Sequence, residues 1–254
     1  MHLANHDVDP WPRVPRRTRE DGRVHPFVGG RVRQQMVGGL AALYLAAAYL
    51  AAMPYFLVFV KYQSVTDPVK KVALLVGHHG SMRVMYLITY IIFGIVLAIL
   101  APALYARLRD GAPTLAQAAT VVGLIWAVML VASGMIFNAG ATAVVGLHGT
   151  SPAQAVSAWQ AIEPVAHGLG GSGGELLGGL WVLLVSVAAL RAGRLPKALN
   201  WLGVAIGAAG VLSVAPTLKD LAYGFGSLQI VWFIWLGVVM LRTTSRPADP
   251  AVVS

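Results

Sequence analysis

Cysteine is absent from the chain, which excludes disulfides, thiolate metal sites and thiol nucleophiles. Charge is scarce as well. Only 11% of the 254 residues are Asp, Glu, Lys or Arg, against 57% hydrophobic, whereas a soluble domain carries roughly 25% charged residues. A water-soluble fold would lack the polar surface it needs to stay in solution. The scarcity is also uneven, because residues 84–105 and 115–147 hold no charged side chain at all. Segregation of this kind is what a hydrocarbon solvent demands.

What charge there is has one dominant sign, with a formal net charge of +9. In a soluble protein that excess would suggest nucleic acid, whose phosphates basic patches neutralise. Here Arg and Lys cluster at the ends of apolar runs, so membrane topology explains them and nucleic acid is not expected as a partner. Apolar runs long enough to cross roughly 30 Å at about 1.5 Å per residue occur at residues 37–60, 82–106, 115–138, 171–190, 199–216 and 224–241. The expected fold is therefore all-α, a polytopic membrane helix bundle of about six transmembrane helices. Of the 19 basic residues, 14 fall on the side of the two tails and 5 on the other. The positive-inside rule then places both termini in the cytoplasm.

Three regions follow. Residues 1–36, with Pro10, Pro12, Pro15 and Pro26 among seven arginines, are expected to form a flexible basic tail. Residues 37–242 form the six-span domain, and 243–254 a cytoplasmic C-terminal tail. The polar tail and the length of the first apolar run do not fit a cleavable signal peptide. Two outer loops should carry short interfacial helices. One starts at Asp67-Pro68, an N-cap followed by proline at the first helical position. The other starts at the capping-box pattern Ser151-Pro152-Ala153-Gln154, with Trp159 as its anchor.

The fourth apolar run reads Gly170-Gly171-Ser172-Gly173-Gly174-Glu175-Leu176-Leu177-Gly178-Gly179-Leu180-Trp181. It is followed by Arg191-Ala192-Gly193-Arg194-Leu195-Pro196 and by Asn200-Trp201-Leu202-Gly203. This order resembles a family of small bacterial six-span membrane proteins catalogued as domain of unknown function 4386. The resemblance runs over residues 35–242. It implies a six-helix fold in a bacterial plasma membrane, and it brings no reaction or catalytic residue. The Pro/Arg-rich tail departs from the family pattern.

Candidate residues fall into three groups. Gly170, Gly174 and Gly178 recur every fourth position, and Gly203 and Gly207 repeat the spacing, so both sets should let a neighbouring helix approach closely. The partner helix belongs either to the same chain or to a second copy in a homodimer. Glu175 is the acidic residue inside an expected span. A carboxylate at membrane depth is costly unless paired or protonated, which makes it a candidate for an internal polar path with Asn138. His78, His79, His148, Glu163 and His167 all map to the outer side, where imidazole and carboxylate suit zinc or copper, and imidazole suits haem. Their spacing offers no His-x-x-x-His pair, and Glu163-Pro164 is expected to break the helix that would align Glu163 with His167. No cofactor is therefore expected.

No nucleophile stands beside a base in the sequence, and this disfavours an enzyme. The leading expectation is a non-enzymatic scaffold or accessory subunit, partnered by the bilayer and by other membrane subunits. The alternative is a small transporter or channel-like protein using Glu175. A further alternative is a metal or haem protein of the outer leaflet.

Overall fold

The computed structural model describes residues 26–170 and 175–244. Among them all regular structure is helical. Helix α1 (Pro26–Pro54) runs on through a π-helical segment, Tyr55–Phe59, and α2 (Pro68–Gly77) lies beyond it. Helix α3 (His79–Tyr86) passes through a second π-helical segment, Leu87–Ile92, into α4 (Phe93–Leu108). The remainder are α5 (Pro113–His148), α6 (Pro152–Gly170), α7 (Glu175–Ala192), α8 (Lys197–Leu212) and α9 (Leu221–Thr244). Among the described residues, five segments are long and apolar enough to cross a membrane: Arg33–Phe59, His79–Leu108, Pro113–His148, Pro152–Ala192 and Leu221–Arg242. Helix α8 is apolar but shorter. This is a multi-pass α-helical membrane protein.

Boundaries differ from expectation where local chemistry could not be seen. Helix α1 begins at Pro26, well ahead of the expected first span, so the last part of the presumed tail is helical. Helix α5 runs ten residues past the expected end of its span, to His148. At about 1.5 Å per residue its 36 residues measure roughly 54 Å, far more than the hydrocarbon thickness. The surplus forms the spine of a cap at one end of the bundle, an outer cap in the expected topology. Asp67 caps α2 as expected, its carboxylate accepting from Lys70 N at 3.0 Å. Helix α6 does not break at Pro164 but continues to Gly170. The carbonyl that Pro164 leaves without a donor belongs to Gln160, an exposed residue, so the loss is tolerated there.

Two cores result. The larger lies at membrane level and is built from α1, α4, α5, α7, α8 and α9. A lattice of aromatic rings runs through it: Tyr49 meets Phe93 edge to face at 5.4 Å, Phe93 meets Trp126 at 6.1 Å, and Trp181 meets Trp232 at 5.9 Å. The smaller core is the outer cap, where Val72 and Leu75 of α2 and Trp159 of α6 close over Phe137, Ala141 and Val144 of α5.

Close approach, rather than side-chain interlock, joins α7 to α8. A Cβ on Gly179 would stand 2.7 Å from Val211 N and 2.8 Å from Gly207 O, and one on Gly207 would stand 2.7 Å from Gly179 O. The two backbones therefore touch through glycine, as small-residue interfaces in membranes allow. Gly203 faces the Ser186 side chain, Gly178 faces the Trp126 and Phe225 rings, and Gly170 faces Leu130 and Ser133. Gly174 lies outside the described residues.

Candidate ligand cavity and outer cap

Between the two cores lies a cavity of ≈ 540 Å³. It is walled by the outer half of α1, the π-helical segment Leu87–Ile92, and the adjoining ends of α6, α7 and α9. Both π-helical segments contribute to it, Tyr55–Phe59 through Phe56 and Leu57, and Leu87–Ile92 through Thr89 and Tyr90. A π turn inserts one residue into the helical register and redirects the side chains around it, and such turns are frequent at functional sites. The second turn is pinned from behind. Tyr44 Oη donates to Ile88 O at 2.9 Å, and Thr89 Oγ1 donates to Met85 O at 2.8 Å.

Tyr49, Phe56, Tyr90 and Phe93 give the cavity an aromatic wall. Glu175, the first described residue of α7, places a half-buried carboxylate in it. No cation forms an ion pair with Glu175 among the described residues. Lys219 and Asp220 stand exposed at the mouth beside Tyr223. Asn138 is not part of this wall. Its Nδ2 donates to Arg83 O at 3.4 Å, and its buried Oδ1 has no partner.

The outer histidines do not converge. His78 Nδ1 approaches Leu74 O at 3.2 Å, and His79 Nε2 lies 3.5 Å from Thr142 Oγ1. His148 ends α5, its Nδ1 buried and unpartnered. Among the described residues no three His, Asp or Glu side chains gather as a metal site would require.

Instead, Glu163 and His167 share one face of α6, because the helix continues through Pro164. Glu163 Oε1 pairs with Lys71 Nζ of α2 at 2.7 Å, and that ammonium also lies 5.1 Å above the centre of the Tyr62 ring. Trp159 Nε1 donates to the Tyr62 hydroxyl at 2.8 Å. Burial, followed by the negative charge of the nearby Glu163 carboxylate, holds the Tyr62 phenol well above its ordinary range. His167 Nε2 lies 3.5 Å from Tyr86 Oη. Tyr86 stacks on Phe137 at 3.4 Å and on Tyr90 at 4.7 Å. The cap is thus in contact with the cavity wall through Tyr86, which stacks on Tyr90 and meets Phe56 edge to face at 5.5 Å.

Lys71 and Tyr62 were not foreseen as neighbours of Glu163, nor Tyr86 as a neighbour of His167. The signal for the α6 half was present, since Trp159, Glu163 and His167 recur every fourth residue. The expectation that Pro164 ends the helix concealed it.

Residues 40–243 match the family described as Domain of unknown function (DUF4386). The chain belongs to this family. No curated protein matches it, and no solved structure does. The part of the chain that matches the DUF4386 family runs from within α1 to the end of α9, so cavity and outer cap both fall inside it.

Proposed function

We propose that this DUF4386 member is a transporter-like membrane protein that takes a small molecule into the cavity between its two cores, with Glu175 as the polar anchor. One observation carries the reading. An aromatic-walled space of ≈ 540 Å³ holds a half-buried carboxylate and is edged by two π-helical turns. Pockets of about 300–1,000 Å³ with a few converging polar groups are the usual form of a small-molecule site. Against a scaffold role stands the use of the glycine faces. Gly170, Gly178, Gly203 and Gly207 all meet residues of this same chain, which leaves these positions no part in a homodimer.

The same reading includes six crossings in a bacterial plasma membrane. Helix α8 supports the count, although it has only 16 residues. It lies along α7 from Gly203 beside Ser186 to Gly210, where a Cβ would stand 3.0 Å from Glu175 O. It therefore climbs nearly the whole height of α7. With six crossings and the 14 to 5 division of basic residues, both termini lie in the cytoplasm. Reporter fusions before Pro26 and after Thr244 should both report the cytoplasmic side. An external C-terminus would remove α8 as a crossing.

For the cavity, the decisive variant is Gly226→Phe. Gly226 lines the space, and a Cβ there meets nothing within 4 Å, so a ring can be introduced from this position to occupy part of the cavity. Mild extraction followed by mass spectrometry of bound small molecules should recover a ligand from the wild type. Gly226→Phe should lose it at unchanged thermal stability, and Glu175→Gln should lose it while keeping the fold. Identical small-molecule content in all three proteins would overturn the reading.

A further inference from the structure

We propose that the cavity's ligand is an organic cation with an apolar, ring-sized body. This rests on the cavity being a ligand site at all, and it adds the chemical class.

Among the described residues, the charges facing the space are Glu175, Asp220 and Lys219, a net of one negative charge. Their depths differ. Lys219 and Asp220 are neighbours at the exposed mouth, where solvent screens them and each offsets the other. Glu175 stands further in, and its carboxylate dominates the field felt by a bound molecule. Around it are the rings of Tyr49, Phe56, Tyr90 and Phe93, whose electron-rich faces attract a cation and repel an anion. Tyr49 and Phe93 are held edge to face at 5.4 Å, and Tyr90 is held by its stack on Tyr86 at 4.7 Å. The wall is therefore preorganised, with little ordering left for binding to impose.

A bare metal ion does not fit this donor set. Hard cations take six or more oxygen ligands, and softer ones gather imidazole or thiolate. Among its described lining residues the cavity offers one half-buried carboxylate and neither imidazole nor thiolate. An anion would meet Glu175 across the aromatic faces. A neutral apolar molecule would gain nothing from a carboxylate whose desolvation it does not offset. An ammonium with an aryl or branched alkyl body satisfies both halves of the lining.

The test uses the full chain in lipid nanodiscs and three probes of one shape. Benzyltrimethylammonium is the cation, neopentylbenzene its neutral carbon isostere, and phenylmethanesulfonate an anion of similar size. Equilibrium binding to the wild type should favour the cation over both others. Glu175→Gln should weaken the cation about tenfold or more, the scale of one lost contact to a charged group. Glu175→Asp should retain the preference, and Gly226→Phe should abolish binding. The comparison of probes on the wild type needs no variant, so a misfolded Gln protein would not leave the matter open. Preference for the neutral or anionic probe, blocked by Gly226→Phe, would overturn the cation assignment while leaving the cavity as a binding site. Equal cation affinity in wild type and Glu175→Gln would overturn it as well. Failure of all three probes, with no small molecule recovered on extraction, would bring down the cavity reading and the cation assignment together.

Discussion

Gly207→Leu is expected to leave no folded bundle in detergent, and Gly207→Ala to melt well below the wild type. The contact opposite Gly207 is backbone: Gly179 O stands 2.7 Å, and Leu183 N also 2.7 Å, from where a Cβ would sit. Backbone cannot swing aside as a side-chain terminus can, so α8 must move bodily away from α7. Alanine gains about 1 kcal/mol of helix propensity over glycine. Extra methylenes in a packed core cost about 1–3 kcal/mol when neighbours can adjust, and here they cannot, so the clash outweighs the gain. Leucine adds three further carbons to the same gap. Gly178→Leu should cost less, because its neighbours are the rings of Trp126 and Phe225, which have some freedom to rotate. Gly224→Leu serves as a control, since nothing lies within 4 Å of its Cβ position. Melting followed by size-exclusion chromatography gives the ranking. A Gly207→Leu protein as stable as Gly224→Leu would sink the account of α7 and α8 as backbone in contact.

That interface was half legible in the sequence. Spacing of four picked out Gly203 and Gly207, because a helix brings every fourth residue to one face whatever surrounds it. The same rule favoured Gly170, Gly174 and Gly178 and passed over Gly179, whose partner positions Gly207 and Gly210 lie on another helix and in no local pattern. Span lengths behaved alike. Apolar composition located the crossings, but where α5 stops is decided by α2 and α6 packing on its outer end, a tertiary fact. Glu175 stood out because a carboxylate is conspicuous among apolar neighbours. The aromatic wall around it was hidden, since Tyr49, Tyr90 and Phe93 each read as ordinary members of apolar runs. The two π-helical turns that shape the wall left no sequence signal that pattern reading could use.

The outer cap gives the second large effect, and it is unequal between two partners. Lys71→Met should destabilise by about 3 kcal/mol, near the lower end of what removal of one member of a buried ion pair costs. That is roughly 6–12 °C in melting temperature for a chain of this size. The Glu163 side chain is 13% exposed, so without the ammonium its charge stays trapped between α2 and α6 without an ion-pair partner. Glu163→Gln should cost less. Lys71 is 22% exposed, so its long stem can carry the ammonium outward to headgroups or water, and the Tyr62 ring 5.1 Å away still attracts it. The double variant Lys71→Met/Glu163→Gln removes both charges and leaves neither stranded. It should therefore be more stable than the sum of the single losses implies, with a coupling of about 1 kcal/mol or more. The stacked pair Tyr86 and Tyr90 joins this cap to the cavity wall, so Lys71→Met should also weaken ligand retention while Gly224→Leu does not. Thermal melts of the four members of the cycle decide the matter. Losses within about 0.5 kcal/mol and no coupling would mean that the pair behaves as an exposed surface bridge, and that α2 is held to α6 by its apolar face alone.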